Sequence, residues 1–176
     1  MCSSDLHKWC CGPEGLGVVA LSPRLLEQAR PTLIGWRSLA DESSGAGSFH
    51  RDGRRFEVAT SCTPLFAGLD SSLALLEAEG SEEQRLERIR QSSSTLWAGL
   101  QEIGGVQTLL REPPPAGLVS FQVEGASPSV VVDRLGERSI WLRHLPDPAC
   151  LRACTHITTS ATDLDTLLAA LGELAR

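Results

Sequence analysis

The alternation of short apolar segments with amphipathic ones after residue 105 constrains the fold of this chain more than any other feature. Four segments have the length and composition of strands: 106–110, 118–123, 140–143 and 152–157. Two others show the spacing of helices: 129–137 and 163–175. Strands interleaved with helices are typical of a compact α/β or α+β unit.

Two longer helices are predicted upstream of this unit. The first covers 63–78 and carries leucines at helical spacing, and the second covers 81–103. Ser81 is suited to cap the second helix, since acidic residues follow it in the first turn. The composition changes between the two helices, so we place a domain boundary there, dividing the chain into residues 1–76 and 77–176.

The part before these helices is rich in turns. A short buried strand is predicted at 16–21, after a turn containing Gly and Pro, and Ser22-Pro23 begin a short helix. Residues 41–55 are polar and rich in Ser and Gly, which predicts a loop.

Charge and cysteine content exclude several classes of function. The 16 Lys+Arg against 22 Asp+Glu give a net charge of −6, which argues against a nucleic-acid partner. No apolar run approaches the ~18 residues of a membrane span. The six cysteines include no CxxC pair, so no metal site is predicted and we expect reduced thiols. No secretory signal is visible, and we expect a cytoplasmic protein.

The segment most informative about chemistry is His7-Lys8-Trp9, followed by Gly12-Pro13-Glu14-Gly15-Leu16-Gly17. Glycines at this density permit left-handed dihedrals and a close approach of the backbone to a phosphate or a ring. A lysine beside such a turn is a candidate phosphate ligand or Schiff-base amine, and the alternative is a solvated surface lysine. The glycine spacing matches neither the nucleotide P-loop nor the dinucleotide fingerprint.

The run 5–17 resembles the cofactor-lysine segment of class V aminotransferases, the pyridoxal-phosphate enzymes that include cysteine desulfurases. Further segments follow in the family's order: 35–38, 55–61, 117–121, 140–143 and 150–156. The combination is most similar to the cystine/cysteine C–S lyases of cyanobacteria, a branch near isopenicillin N epimerase. The resemblance implies an α/β fold of the aspartate-aminotransferase type. Residues 1–76 would be the C-terminal part of the large cofactor domain, and 77–176 a small α+β domain.

The resemblance also implies roles for individual residues around the cofactor. Lys8 would bind pyridoxal 5'-phosphate covalently and shuttle the substrate α-proton, and His7 would contact the cofactor phosphate. Thr60 would reach the phosphate in the other subunit of a homodimer.

Four further residues would bind the amino-acid substrate. Arg143 and Arg152 would hold its carboxylate, because a guanidinium binds both oxygens in a fixed fork. The alternative for Arg143 is a surface ion pair. Trp36 and Arg37 would line the substrate pocket, with a core tryptophan as the competing interpretation of Trp36.

Within the family, the residues favour a lyase that eliminates sulfur from cysteine or cystine and releases pyruvate and ammonia. A desulfurase needs a nucleophilic cysteine on a mobile loop, whereas residues 144–151 form a short segment stiffened by two prolines. We expect Cys150 and Cys154 to be packing residues. The alternatives are a desulfurase, an epimerase-like enzyme, or a truncated fragment without activity.

The sequence departs from the family's pattern in two respects. The family's pyridine-pairing aspartate and ring-stacking residue lie upstream of the lysine and are not found in this sequence, so we expect the isolated chain to be inactive. Asp5 stands where the family has a Ser or Thr that contacts phosphate, and a carboxylate there would repel the phosphate. Ser3 or Ser4 is the candidate replacement.

Overall fold

The computed structural model describes residues 2–41, 43 and 48–175, with side chains from Asp5 onward. The chain forms two compact units, Met1–Glu79 and Gly80–Arg176. The division lies within the boundary region of the sequence, but the assignment of 1–76 and 77–176 to a large and a small domain stays a prediction. Among the described residues, no helix has the length and apolarity needed to span a membrane.

The first unit contains two strands, two α-helices and short 3-10 turns. Strand β1, which the sequence did not predict, pairs antiparallel with β2, and Asp5 lies opposite Gly17. Helix α1 begins at Pro23, and the hydroxyl of Ser22 accepts the Leu25 N–H as predicted for a cap. The elements are β1 Cys2–Asp5, β2 Gly17–Ala20, α1 Pro23–Gln28, α2 Thr63–Ala78, and 3-10 turns at Trp36–Ser38 and Gly53–Phe56.

The predicted burial of the 16–21 strand is wrong. Val18 and Val19 lie on opposite faces of β2, yet they are 49% and 57% exposed. Leu6 is the only buried apolar side chain among those described in the first unit. The physical reason is that the described residues of this unit leave both valines uncovered, whereas apolar residues on both faces are typical of the interior of a larger sheet.

The second unit is an antiparallel sheet packed against helices, which confirms the α+β prediction for this part. The strand order is β3-β4-β6-β5. The elements are α3 Glu82–Gln101, β3 Val106–Thr108, β4 Leu118–Val123, α4 Pro128–Gly136, β5 Arg143–Pro146, β6 Ala149–Cys154 and α5 Ala161–Leu174.

The two strands predicted at 140–143 and 152–157 are displaced from their observed positions. Ile140 and Leu142 pack against the core from the connection that precedes β5, so their apolar character reflects burial and not strand structure. The strands instead form the β5–β6 hairpin, joined by Asp147-Pro148. In this hairpin Arg143 begins one strand and Arg152 lies inside the other.

The core of the second unit fixes the position of this hairpin. One face of β4 and β6 is buried against helices α3, α4 and α5, with Phe121 paired to Leu151 at its centre. The fully buried side chains include Leu96, Leu100, Phe121, Leu135, Leu151 and Leu171. Arg152 follows Leu151, so the core side chain determines which face of the sheet the arginine occupies.

Candidate active site

Lys8 lies in the turn that joins β1 to β2. The turn is closed by hydrogen bonds from the Leu6 N–H to the Leu16 carbonyl (3.2 Å) and from the Gly12 N–H to the Leu6 carbonyl (2.8 Å). Cys11 has a φ of +51° and Gly15 a φ of +87°, so two residues of this turn lie in the left-handed region. The turn leaves the side chain of Lys8 exposed to solvent.

The amine of Lys8 has one close partner. Its Nζ lies 2.7 Å from Oδ2 of Asp5, and both side chains are exposed, at 62% and 60%. The hydrogen bond from Lys8, followed by its charge, lowers the pKa of Asp5. His7 is exposed beside Lys8. Lys8 is also the only lysine in the chain, and all the other residues counted as Lys+Arg are arginines.

The segment that carries Trp36 and Arg37 is fastened to the segment that leads to Thr60. The buried hydroxyl of Ser38 donates to the Glu57 carbonyl at 2.6 Å and accepts from the Gly35 N–H at 3.2 Å. A Cβ at Gly35 would lie 1.9 Å from the Val58 carbonyl oxygen, so this approach requires glycine. The fold thus brings together two of the segments that the sequence selected.

Arg37 pairs with a residue that the sequence did not single out. Its guanidinium lies 3.0 Å from the carboxylate of Glu57 and 5.9 Å from the centroid of the Trp36 ring. Trp36 is 51% exposed, so the competing interpretation as a core tryptophan is wrong. The Arg37 charge is already compensated by Glu57, whereas the indole remains open to a ligand. Thr60 is exposed two residues beyond Val58.

Arg143 and Arg152 are direct cross-strand partners in the β5–β6 hairpin, so their side chains leave the same face. Both line an open groove of about 580 Å³ in the second unit. Among the described residues, neither guanidinium has a hydrogen bond or an ion pair, which disagrees with the surface-ion-pair alternative for Arg143. Two uncompensated guanidinium groups side by side form a site for a carboxylate.

The rest of the groove supplies an aromatic wall and polar groups. Trp141, which the sequence did not select, lines the groove and is 78% exposed. Arg138 also lines it, but its guanidinium is engaged with Glu173 at 2.6 Å. The carboxylate of Asp163 accepts from Ser160 at the start of α5, and these hydrogen bonds lower its pKa. The positive charge that remains available in the groove is therefore that of Arg143 and Arg152.

The two cysteines of β6 differ in exposure. Cys150 is 1% exposed and packs in the strand, as the sequence predicted. Cys154 is exposed and lines the groove, so its prediction as a packing residue is wrong. Burial nevertheless raises the pKa of the Cys154 thiol, with Arg152 opposing that shift. Neither cysteine stands on a loop, since the link between β5 and β6 is two residues long. No cluster of potential metal ligands occurs in the described ranges.

Two partners of candidate site residues were missed by sequence reasoning. Asp5 departs from the Ser or Thr of the family, but a carboxylate three residues before a lysine across a turn is also a signal for an ion pair. Glu57 lies 20 residues from Arg37 in the chain, and no local spacing connects them. Trp141 lies within the segment 140–143 that resembles the family, but only the fold places it beside the two arginines.

Residues 1–167 match the Aminotransferase class-V family. The chain belongs to this family. It is 30% identical over 175 residues to a probable cysteine desulfurase of Pseudomonas aeruginosa, an alignment that covers 91% of this chain and 42% of that protein.

Solved structures of the family superpose closely on the fold. The cystine C–S lyase C-DES, in complex with its reaction product cysteine persulfide, has a TM-score of 0.89 and 39% identity, covering 96% of this chain and 45% of that one. Another C-DES structure holds glycine covalently linked to its PLP cofactor, with the same TM-score and identity. Cysteine desulfurase from Thermococcus onnurineus NA1 has a TM-score of 0.81 and 27% identity, covering 98% and 46%. The chain thus spans less than half the length of these relatives and shares the fold of part of a PLP-dependent enzyme.

Proposed function

We propose that this chain is the C-terminal portion of a pyridoxal-phosphate-dependent C–S lyase acting on cysteine or cystine. The observation that carries the proposal is the arrangement of Arg143 and Arg152 as unpaired neighbours over one groove, on a hairpin too short for a nucleophilic-cysteine loop. The greater identity to C-DES than to the desulfurases supports the lyase.

The residues of the first unit fit the cofactor. An exposed primary amine on a glycine-rich turn is the group that condenses with an aldehyde, and Lys8 is the only lysine available. His7 beside it and Thr60 would contact the phosphate, the latter in the partner subunit of a homodimer. When bound, pyridoxal phosphate supplies an electron sink for the carbanion that expels sulfur.

The remaining side chains of the proposed site would bind the substrate or transfer its α-proton. Arg143 and Arg152 hold substrate carboxylate and fix the α-carbon. Trp36 offers a flat apolar wall suited to a thioether or disulfide sulfur, and Arg37, held by Glu57, keeps the indole in place. Nζ of Lys8, once neutral, accepts the α-proton.

The first unit would be the tail of a larger cofactor domain. The exposed valines on both faces of β2, with Leu6 as the only buried apolar side chain among the described residues of the unit, support this assignment. The five cysteines whose side chains are described are all free thiols, which supports a reducing, cytoplasmic location. An inactive fragment and a desulfurase are the alternatives that experiment must separate.

The cofactor assignment is tested on the chain itself. We expect pyridoxal phosphate, added to the purified chain and reduced with borohydride, to be found by peptide mass spectrometry on Lys8. Reduction that leaves Lys8 unmodified would contradict cofactor binding by this chain.

Replacing Cys150 or Cys154 with alanine separates the lyase from the desulfurase. We expect both variants, co-expressed with the upstream half of C-DES, to keep pyruvate production and sulfur release within about twofold of the unsubstituted pair, because elimination requires no protein thiol. Loss of sulfur release with pyruvate production retained would indicate a persulfide-forming cysteine.

Replacing Arg152 with alanine tests the carboxylate site. A hydrogen bond to a charged group contributes about 1.5–3 kcal/mol, so the affinity for S-methyl-L-cysteine should fall by roughly 10-fold or more. Amide chemical shifts of groove residues measure the binding. Arg138→Ala is the matched control, since its guanidinium is engaged with Glu173. Equal losses in both variants, or no shifts in the unsubstituted chain, would refute the site.

A further inference from the structure

The ion pair between Asp5 and Lys8 occupies the one amine that the proposed function needs. Asp5 is the last residue of β1, and Lys8 lies three residues later in the turn. The backbone holds this separation, because the Lys8 N–H also donates to the Asp5 carbonyl at 3.3 Å. Among the described residues, Asp5 is the only hydrogen-bonding partner of Nζ. The turn therefore presents the lysine together with its carboxylate.

We propose that Asp5 is a positioning residue that restrains Lys8, so that its carboxylate must release the amine before a carbonyl compound is bound. This inference rests on the proposed function, in which Lys8 is the residue that takes the cofactor. It also assigns a role to the position at which the sequence departs from its family.

The restraint follows from the chemistry of amine addition. An amine attacks a carbonyl carbon only in its neutral form, so the ammonium of Lys8 must first give a proton to solvent. The N–C bond then forms as the C=O π bond breaks, one further amine proton and one solvent proton pass to the oxygen, and that oxygen leaves as water, so that a protonated C=N bond remains. A carboxylate 2.7 Å from Nζ stabilises the ammonium and engages the atom that must attack.

The same carboxylate has a second effect on a ligand that carries phosphate. Asp5 repels a phosphate group brought near Nζ, whereas a neutral carbonyl compound experiences only the restraint on the amine. The lowered pKa of Asp5 means that this carboxylate is charged at neutral pH. His7 is the other titratable side chain that acts on Asp5, and it favours the same charged form. Comparing neutral and phosphorylated ligands therefore separates the two effects.

The experiment compares rates of reductive attachment to Lys8 in the full chain. Asp5→Asn and Asp5→Ser are incubated with pyridoxal or with pyridoxal 5'-phosphate, reduced with borohydride, and analysed by peptide mass spectrometry. Because Lys8 is the only lysine, the amino terminus is the sole competing amine, and the peptides distinguish the two. Asp52→Asn is the matched control, since it removes another exposed carboxylate that pairs with Arg54 at 2.8 Å.

We expect both Asp5 variants to react about two- to fivefold faster with pyridoxal, because the interaction energy of an exposed ion pair corresponds to a rate change of this size. The increase with pyridoxal phosphate should be larger, and about 1 M NaCl should reduce both differences. Asp52→Asn should react like the unsubstituted chain. Hydrogen exchange in residues 2–20 verifies that the hairpin is retained, and the two substitutions at Asp5 act as independent tests.

The outcomes for the two proposals are distinct. Equal or slower attachment in both Asp5 variants, with Lys8 still modified, overturns the restraint and leaves the cofactor assignment standing. A faster rate in Asp52→Asn as well would show a general charge effect and also overturn it. Absence of attachment to Lys8 in every variant, including the unsubstituted chain, overturns the proposed function itself.

Discussion

In a Lys8→Ala variant, reductive attachment of pyridoxal phosphate is expected to fall to the level of the amino terminus alone. The physical reason is that no other side chain of this sequence offers a primary amine, since Lys8 is its only lysine. Arginine does not substitute, because its guanidinium stays protonated and does not form a stable C=N bond with an aldehyde. Peptide mass spectrometry after borohydride reduction measures the result.

Lys8→Arg is the matched control for this loss. It keeps a positive charge near the Asp5 carboxylate, so the turn retains its ion pair while losing the reactive amine. We expect attachment in Lys8→Arg to fall to the same amino-terminal level and the hydrogen-exchange pattern over residues 2–20 to stay unchanged. If both variants kept the cofactor as firmly as the unsubstituted chain, binding would be non-covalent and Lys8 would not be the attachment residue.

Replacing Phe121 with alanine is expected to lower the free energy of unfolding of the second unit by about 3–5 kcal/mol. Phe121 is completely buried and lies opposite Leu151 in the strand that carries Arg152. Removing the ring leaves a cavity among side chains that are themselves fully buried, and the sheet limits how far they relax. Urea denaturation, followed by hydrogen exchange in β4 and β6, measures the loss.

Leu118→Ala is the control for the Phe121 substitution. Leu118 belongs to the same strand but is 42% exposed, so its truncation should change stability by roughly 0.5 kcal/mol or less. A comparable loss of stability in both variants would mean that the lost free energy reflects strand propensity and not the core.

We also expect the groove to lose affinity for its amino-acid ligand in Phe121→Ala, because the position of Arg152 depends on the packing of Leu151.

Periodic segments were predicted well and isolated apolar runs were not. Helix α2 has the predicted bounds, and strand β4 was placed correctly, because each carries a complete repeat of its own type. The apolar run at 140–143 predicts a strand, although Ile140 and Leu142 pack against the core from a connection. A short apolar run indicates burial without specifying backbone conformation, and the hairpin pairing decides the rest.

In the candidate site too, local sequence predicted some features and the fold decided others. Local motif chemistry made Lys8 a candidate, and the family resemblance selected Arg143 and Arg152; that resemblance agrees with membership of the class V aminotransferase family. Their proposed roles await the experiments above. The sequence did not predict that Arg143 lies opposite Arg152, since cross-strand register depends on the turn at Asp147-Pro148 and on the alternation of the core face.

By itself, the sequence determined the family, the alternation of elements and the single lysine available for imine chemistry, because these depend on residue type and local spacing. The tertiary structure alone decided that Asp5 engages that lysine, that Glu57 compensates Arg37, and that two arginines line one groove with no ion-pair partner among the described residues. Partner choice among charged groups depends on distances of a few ångströms, since Coulomb attraction falls with separation and solvent screens it. Those distances are set by strand register and turn geometry, which composition and periodicity do not specify.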